Sequence, residues 1–164
     1  MRFQQGDAIF ILSKSWIPRT IALTSNSRYS HVGMVMEDAD GDIVNIIESK
    51  PFLKLRKRCL SLQKEEYDCY RIRGNHSQEM KLALENAEQM IGIKYNYLQF
   101  ANLYFHVNFN KKRAFPLNKR LVCTSLIDLC YYSAGIRRKD EMDIGNVTLE
   151  ELLLKYDFER VAES

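Results

Sequence analysis

The sequence predicts an α+β fold in which a central antiparallel sheet carries a cysteine-bearing helix across one face. Three observations support this. The stretch Leu121 to Ile136, L-V-C-T-S-L-I-D-L-C-Y-Y-S-A-G-I, reads as a nearly all-apolar helix with Gly135 as its stop. Val32 to Glu37 and Asp42 to Ser49 flank D-A-D-G, the turn chemistry of a β-hairpin. Tyr67 to Arg73 alternates like a further strand, so that pairing is local and mostly antiparallel. In the helix, Leu126, Ile127, Leu129, Cys130 and Ala134 cover most of the circumference, and only Thr124, Ser125, Asp128 and Ser133 are small or polar. A helix of that kind has to be buried.

Taken in order, the chain begins with Ala8 to Leu12, A-I-F-I-L, a short apolar strand after Gly6 and Asp7. Trp16 to Leu23 reads as a short helix, with Ser15 as N-cap and Pro18 in its first turn. A polar loop then leads into S-H-V-G-M-V-M, a strand that carries His31 near its start. If Ala39 and Asp40 are the central turn residues, His31 faces Glu48 across the hairpin; a three-residue loop ending at Gly41 opposes it to Ser49 instead. Pro51 to Leu62 is a basic, poorly periodic connection. Gln78 to Ile91 is an amphipathic helix, capped by Asn75 or Ser77, with Met80, Leu84, Ala87 and Ile91 on one stripe and Gly92 at its end. The aromatic segment Gly92 to Phe109 fills a core or lines a groove. Thr148 and Glu151 form a capping box for a last short helix, and Phe158 to Val161 a final strand.

Composition bounds the function classes. The 164 residues, 46% hydrophobic and 27% charged, fit one globular domain spanning 1–164, with no internal repeat to suggest a second. A net charge of +3 gives no reason to expect a nucleic-acid partner. Two basic clusters stand out: Lys54, Arg56, Lys57 and Arg58, then Lys111, Lys112, Arg113, Lys119 and Arg120. The plain reading is a solvated face; the alternative is weak attraction to an anionic substrate or membrane surface. Cys59, Cys69, Cys123 and Cys130 contain no C-x-x-C pair and read as free thiols, with no metal site implied. Neither a signal peptide nor an apolar run near the roughly 18 residues of a bilayer span is visible, so a soluble cytoplasmic protein is expected.

Pro116 and Asn118 mark a loop ahead of the apolar helix, which puts Cys123 in its first turn. Free N–H groups and the positive dipole end favour an anion there, and an ordinary thiol is only slightly ionised at neutral pH, so the position suits a thiolate. A buried structural cysteine is the alternative unless the fold brings a histidine to it. Of the three histidines, His76 lies beside a helix start and His106 in an aromatic stretch; both read as non-catalytic. The absence of a G-x-S-x-G elbow removes a serine-hydrolase reading.

The ordered set G-D-A-I-F, Y-S-H-V-G-M-V, I-I-E-S, G-I-K-Y-N-Y and V-C-T-S-L-I resembles the circularly permuted branch of the NlpC-type papain-like cysteine hydrolases, the YiiX/YebB-like group, over roughly Gly6 to Gly135. The resemblance implies a permuted papain-like fold with the histidine strand ahead of the cysteine helix. It also implies Cys123 as nucleophile, His31 as base, Glu48 as the group orienting the imidazole, and Tyr95 and Thr124 near the substrate or oxyanion site, with no metal or cofactor. Thr124 stands where relatives often have serine. The N-C-x-x-F-V pattern of lecithin:retinol acyltransferase-like cousins is absent, which counts against that acyl transfer. The implied activity is hydrolysis of an amide, ester or thioester through an acyl-enzyme, on a cell-wall peptide or an acyl lipid. A catalytically silent lipid- or peptide-binding module on the same fold is the alternative, separable by the reactivity of the Cys123 thiol.

Overall fold

A computed structural model describes residues 2–12, 27–101, 103 and 120–163. The expected helix at Trp16 to Leu23, His106, and most of the second basic cluster lie outside the described residues. Six strands form one sheet: β1 (Ala8–Leu12), β2 (Tyr29–Val35), β3 (Ile43–Glu48), β4 (Arg56–Ser61), β5 (Tyr67–Ile72) and, last in the chain, β8 (Phe158–Glu163). Their order is β4-β3-β2-β1-β5-β8, and every neighbouring pair is antiparallel. Two-residue strands β6 (Lys94–Tyr95) and β7 (Arg120–Leu121) form a separate parallel pair, and the helices are α1 (Ser77–Gln89), α2 (Cys123–Ser133) and α3 (Leu149–Lys155).

The continuous apolar character of β1 follows from its place in the middle of the sheet, where both faces are covered. Ala8 and Phe10 join Val32, Met34 and Ile47 against Met80 and Leu84 of α1 and Leu126, Ile127 and Cys130 of α2. Ile9 and Ile11 turn the other way, into a second cluster with Phe3, Val35, Val44, Ile46 and Leu60. Gly6, at φ +88°, lies where α1 crosses the start of β1: a Cβ there would meet Met80 Sδ at 2.4 Å.

Three expectations are corrected. Arg56–Ser61, read as an irregular connection, is β4, paired with β3 along its whole length from Glu48↔Arg56 to Ile43↔Ser61. Its sequence, R-K-R-C-L-S, hides the strand because the residue opposite Arg56 is a buried carboxylate and not an apolar side chain. The β2–β3 hairpin takes neither register expected of it: Met34 opposes Ile47 and Val35 opposes Ile46. The cause lies in the loop, where Ala39 is drawn into a backbone bridge with Phe3 (N–H to carbonyl 3.0 and 3.1 Å) and cannot form a tight turn. Finally, α1 stops at Gln89, with no side-chain cap at its start, so Ile91 lies beyond the helix and is exposed. Helix α3 carries the expected capping box of Thr148 and Glu151.

The loop after α2 is fastened to that helix by a buried ion pair. Asp128 accepts from Arg138 Nε (2.9 Å) and Nη2 (3.2 Å), from the Gly145 N–H (2.7 Å) and from the Tyr156 hydroxyl (2.7 Å). Both partners of the pair are buried. Removing one leaves an unpaired buried charge, so Asp128→Ala is expected to lower stability by about 3–5 kcal/mol. Thr148→Ala, which only uncaps α3, is expected to cost about 1 kcal/mol. Urea denaturation of the two variants checks the contrast.

Candidate active site

Helix α2 begins at Cys123, with Val122 as an extended N-cap that supplies no side-chain hydrogen bond. The first-turn N–H groups therefore face whatever acceptor the neighbourhood offers. The polar residues that follow Cys123 hold the turn in place from outside. Thr124 donates its hydroxyl to the Val147 carbonyl (2.6 Å) and Ser125 to that of Gly145 (2.7 Å). Gln99 Nε2 reaches the same Gly145 carbonyl at 2.6 Å. Thr124, expected at the substrate or oxyanion site, thus commits its hydroxyl to the Val147 loop, and only its backbone N–H is left at the helix start.

His31 and Glu48 lie at this helix start, both buried. The imidazole meets Glu48 Oε2 through Nε2 at 3.0 Å, and the same ring lies close enough to Cys123 to interact with it. Nε2 is spent on the carboxylate, so Nδ1 is the nitrogen left for sulfur. The observed register accounts for the reach. Continued along the strands it sets Glu48 opposite Gly33, two residues from His31, so the contact is diagonal. A side chain at Gly33 would crowd this pairing, since a Cβ there would lie 2.9 Å from Ile46 Cδ1.

Glu48 has no exposed surface, and cations surround it. Arg56 donates Nε (3.2 Å) and Nη2 (3.1 Å) to Oε1, and Arg58 Nη1 approaches Oε2 at 3.4 Å. Burial works against ionisation, but the hydrogen bond and charge of His31, with Arg58 and Arg56, outweigh it and hold the carboxyl at about 2. Burial likewise disfavours imidazolium at His31, and the bonds and charges of Cys123 and Glu48 overcome it, raising the ring to about 9. These arginines are the site residues that sequence reasoning missed. The signal was present: Arg56 and Arg58 are two apart, the spacing that puts side chains on one face of a strand.

Tyr95 is buried beside the thiol. Burial, then the charge of Cys123, pushes its phenol well above the ordinary range, so it stays a neutral O–H donor. Ser49 does not approach the imidazole; it donates to the Leu121 carbonyl at 2.9 Å and so ties the end of β3 to the residues just before Cys123. Asn45 bonds Glu37 at 2.6 Å at the surface. His76 engages the Arg73 carbonyl at 3.1 Å and has no part in the cluster.

A sheet-and-helix fold with a thiol at a helix start, close to an imidazole on a neighbouring strand, is the arrangement of papain-like hydrolases. The family model described as permuted papain-like amidase enzyme, YaeF/YiiX, matches residues 2–159, and the chain belongs to this family of cysteine hydrolases. Among solved structures, the chain is similar to the metalloprotein yiiX from Escherichia coli, with a TM-score of 0.68 and 17% identity over 100% of this chain and 99% of that one. No curated protein matches the sequence. Among the described residues, no helix is long and apolar enough to cross a membrane.

The four thiols differ in setting. Cys69 and Cys130 are buried, and burial pushes both up, Cys130 to about 12, while Cys59 is exposed. Iodoacetamide at mildly acidic pH is expected to label Cys123 first, Cys59 more slowly, and Cys69 and Cys130 only on unfolding. Peptide mapping by mass spectrometry reads the order.

Proposed function

We propose that the chain hydrolyses an amide through a covalent acyl-enzyme, with Cys123 as nucleophile, His31 as general base and acid, and Glu48 as the residue that orients the ring. The observation that supports this most is the convergence of Cys123, His31 and Glu48 from segments far apart in the chain, with His31 Nε2 bonded to Glu48 at 3.0 Å. Membership of an amidase family favours a peptide or other amide as substrate.

In the first step the Cys123 thiolate attacks the carbonyl carbon. Oxyanion stabilisation falls to backbone N–H groups of the first turn of α2, that of Thr124 among them, with the Tyr95 hydroxyl as an additional donor. Protonated His31 passes its proton to the departing amine, which leaves a thioester on Cys123. Neutral His31 then takes a proton from water, which attacks the thioester; collapse releases the carboxylic acid and restores the thiolate–imidazolium pair. Glu48 keeps Nε2 engaged and Nδ1 turned to the sulfur throughout, and Arg56 and Arg58 keep Glu48 ionised while it does so.

The metalloprotein description of the E. coli structure does not carry over to these residues. Among the described residues no group of three or more His, Cys, Asp and Glu side chains is arranged so that it could hold a metal ion. Glu48, the carboxylate nearest the thiol and imidazole, is already saturated by two guanidinium groups. No step of the reaction is assigned to a metal.

Turnover of an amide substrate is expected to vanish in Cys123→Ala and to fall by about 10²–10⁴ in His31→Ala. Glu48→Gln should retain measurable turnover, because an orienting group contributes less than the nucleophile or base. The pH profile separates orientation from mere packing. Imidazolium is the acid for amine departure, so the alkaline limb of kcat/KM is expected near 9, where His31 loses its proton. Glu48→Gln removes a group that raises His31, and the limb should move to lower pH. A limb unmoved by that substitution would remove Glu48 from its role.

A further inference from the structure

We infer, on the basis of the proposed amidase chemistry, that the groove beside Tyr95 is a specificity subsite for an acidic group that neighbours an aromatic or similarly flat apolar group of the substrate. The groove has a volume of about 280 Å³ and is lined by Phe52, Leu53, Lys54, Lys94, Tyr95 and Tyr97. One wall is Tyr95, which pairs with Leu121 between β6 and β7 and clusters with Val122, the residue before Cys123, so the groove adjoins the nucleophile. From there the rings lead outward: Tyr95 to Tyr97 with centroids 5.2 Å apart, then Tyr97 to Phe52 at 5.8 Å.

Two features of this track have no structural purpose that the fold explains. Phe52 is 90% exposed and sits at φ +66°, a conformation disfavoured for a bulky side chain, with its N–H donated to the Tyr97 hydroxyl at 2.6 Å. Strain and exposure together at an aromatic residue beside a groove are the signature of a ligand contact. The second feature is electrostatic. Lys54 and Lys94 face each other as partners in an isolated antiparallel bridge, and both are exposed. Like charges directly opposed repel, and among the described residues neither ammonium is paired with a carboxylate. Their neighbours differ: Arg56 and Arg58 are held by Glu48, and Lys57 by Glu88 at 2.6 Å. An anion between Lys54 and Lys94 relieves the repulsion, and a ring on Phe52 and Tyr97 covers the exposed phenyl.

The test uses the full chain and fluorogenic coumarin amides that differ only in the acyl group: N-succinyl-phenylalanyl, N-acetyl-phenylalanyl, N-succinyl-alanyl and N-acetyl-alanyl. The expected kcat/KM preference is about fivefold for succinyl over acetyl, the scale of an exposed ion pair, and about fivefold for phenylalanyl over alanyl. Lys54→Glu with Lys94→Glu should reverse the first preference, Lys54→Gln with Lys94→Gln should abolish it, and Phe52→Asn, which suits the left-handed conformation, should abolish the second. Turnover of the N-acetyl-alanyl amide should be unchanged in all of them. Preferences that are absent, or that survive these substitutions, overturn the subsite. Calorimetric titration of the Cys123→Ala protein with the same amides separates this inference from the hydrolase reading. Lysine-dependent discrimination in binding with no turnover by the wild type sinks the hydrolase and leaves the subsite standing. Sedimentation with phosphatidylglycerol–phosphatidylcholine vesicles supplies the remaining outcome: vesicle binding lost in the same variants, without discrimination among the soluble amides, overturns the subsite in favour of a membrane-docking patch.

Discussion

A carboxylate with no exposed surface has to be met by positive charge, and Glu48 is the group around which this part of the fold is arranged. The demand reaches both sides of β3. On one side β4 brings Arg56 and Arg58, and on the other β2 brings His31. Arginine and lysine on an edge strand ordinarily serve to keep another chain from pairing with it. Here Arg56 and Arg58 reach from a partly exposed strand to the buried Glu48, and that explains why a strand with so little apolar character pairs along its full length.

The nucleophile is held by a different set of bonds, nearly all from side chains to backbone. Ser49 grips Leu121, Thr124 grips Val147, and Ser125 and Gln99 share the carbonyl of Gly145. The bonds of Ser49, Thr124 and Ser125 join the start of α2 to segments distant in sequence, Ser49 from the residue next to Glu48, and Gln99 braces the carbonyl that receives Ser125. These hydroxyl groups are positioning devices: those of Thr124 and Ser125 hold the helix start against the 145–147 loop, and that of Ser49 holds the preceding residues against the end of β3. Cys123 follows Leu121 by two residues, so a shift of β3 would be passed to the sulfur through a short and rigid route.

Much of this could be read from the sequence, and what could not has physical causes. The apolar helix, the central strands and the α3 capping box are local patterns, set by periodicity and by residues three or four apart. Cys123, His31 and Glu48 stand out by helix-start chemistry, by the hairpin and by the resemblance, and in the structure His31 Nε2 lies 3.0 Å from Glu48 at the helix start. What escaped was set by tertiary demand. The hairpin register depends on Phe3 pulling Ala39 out of a tight turn, an interaction no local pattern encodes. Strand β4 escaped because its inward partner is a charge, so hydrophobic alternation, the usual mark of a strand, was absent. Ile91 fell off its stripe because the helix ended before Gly92 could stop it.

The coupling between His31 and Glu48 makes their protonation a stability term. Glu48 is lowered from 4.5 to about 2, so its contribution is complete above 4.5 and is lost as pH falls towards 2. His31 is raised from 6.5 to about 9, so its contribution is complete below 6.5 and is lost as pH rises towards 9. Both are present in full between 4.5 and 6.5, where the imidazolium and carboxylate are charged in the folded chain. Above that window the two halves of the site part company. Arg56 and Arg58 continue to hold Glu48, while the imidazole loses its proton, so the cluster loses one charge and keeps its remaining bonds.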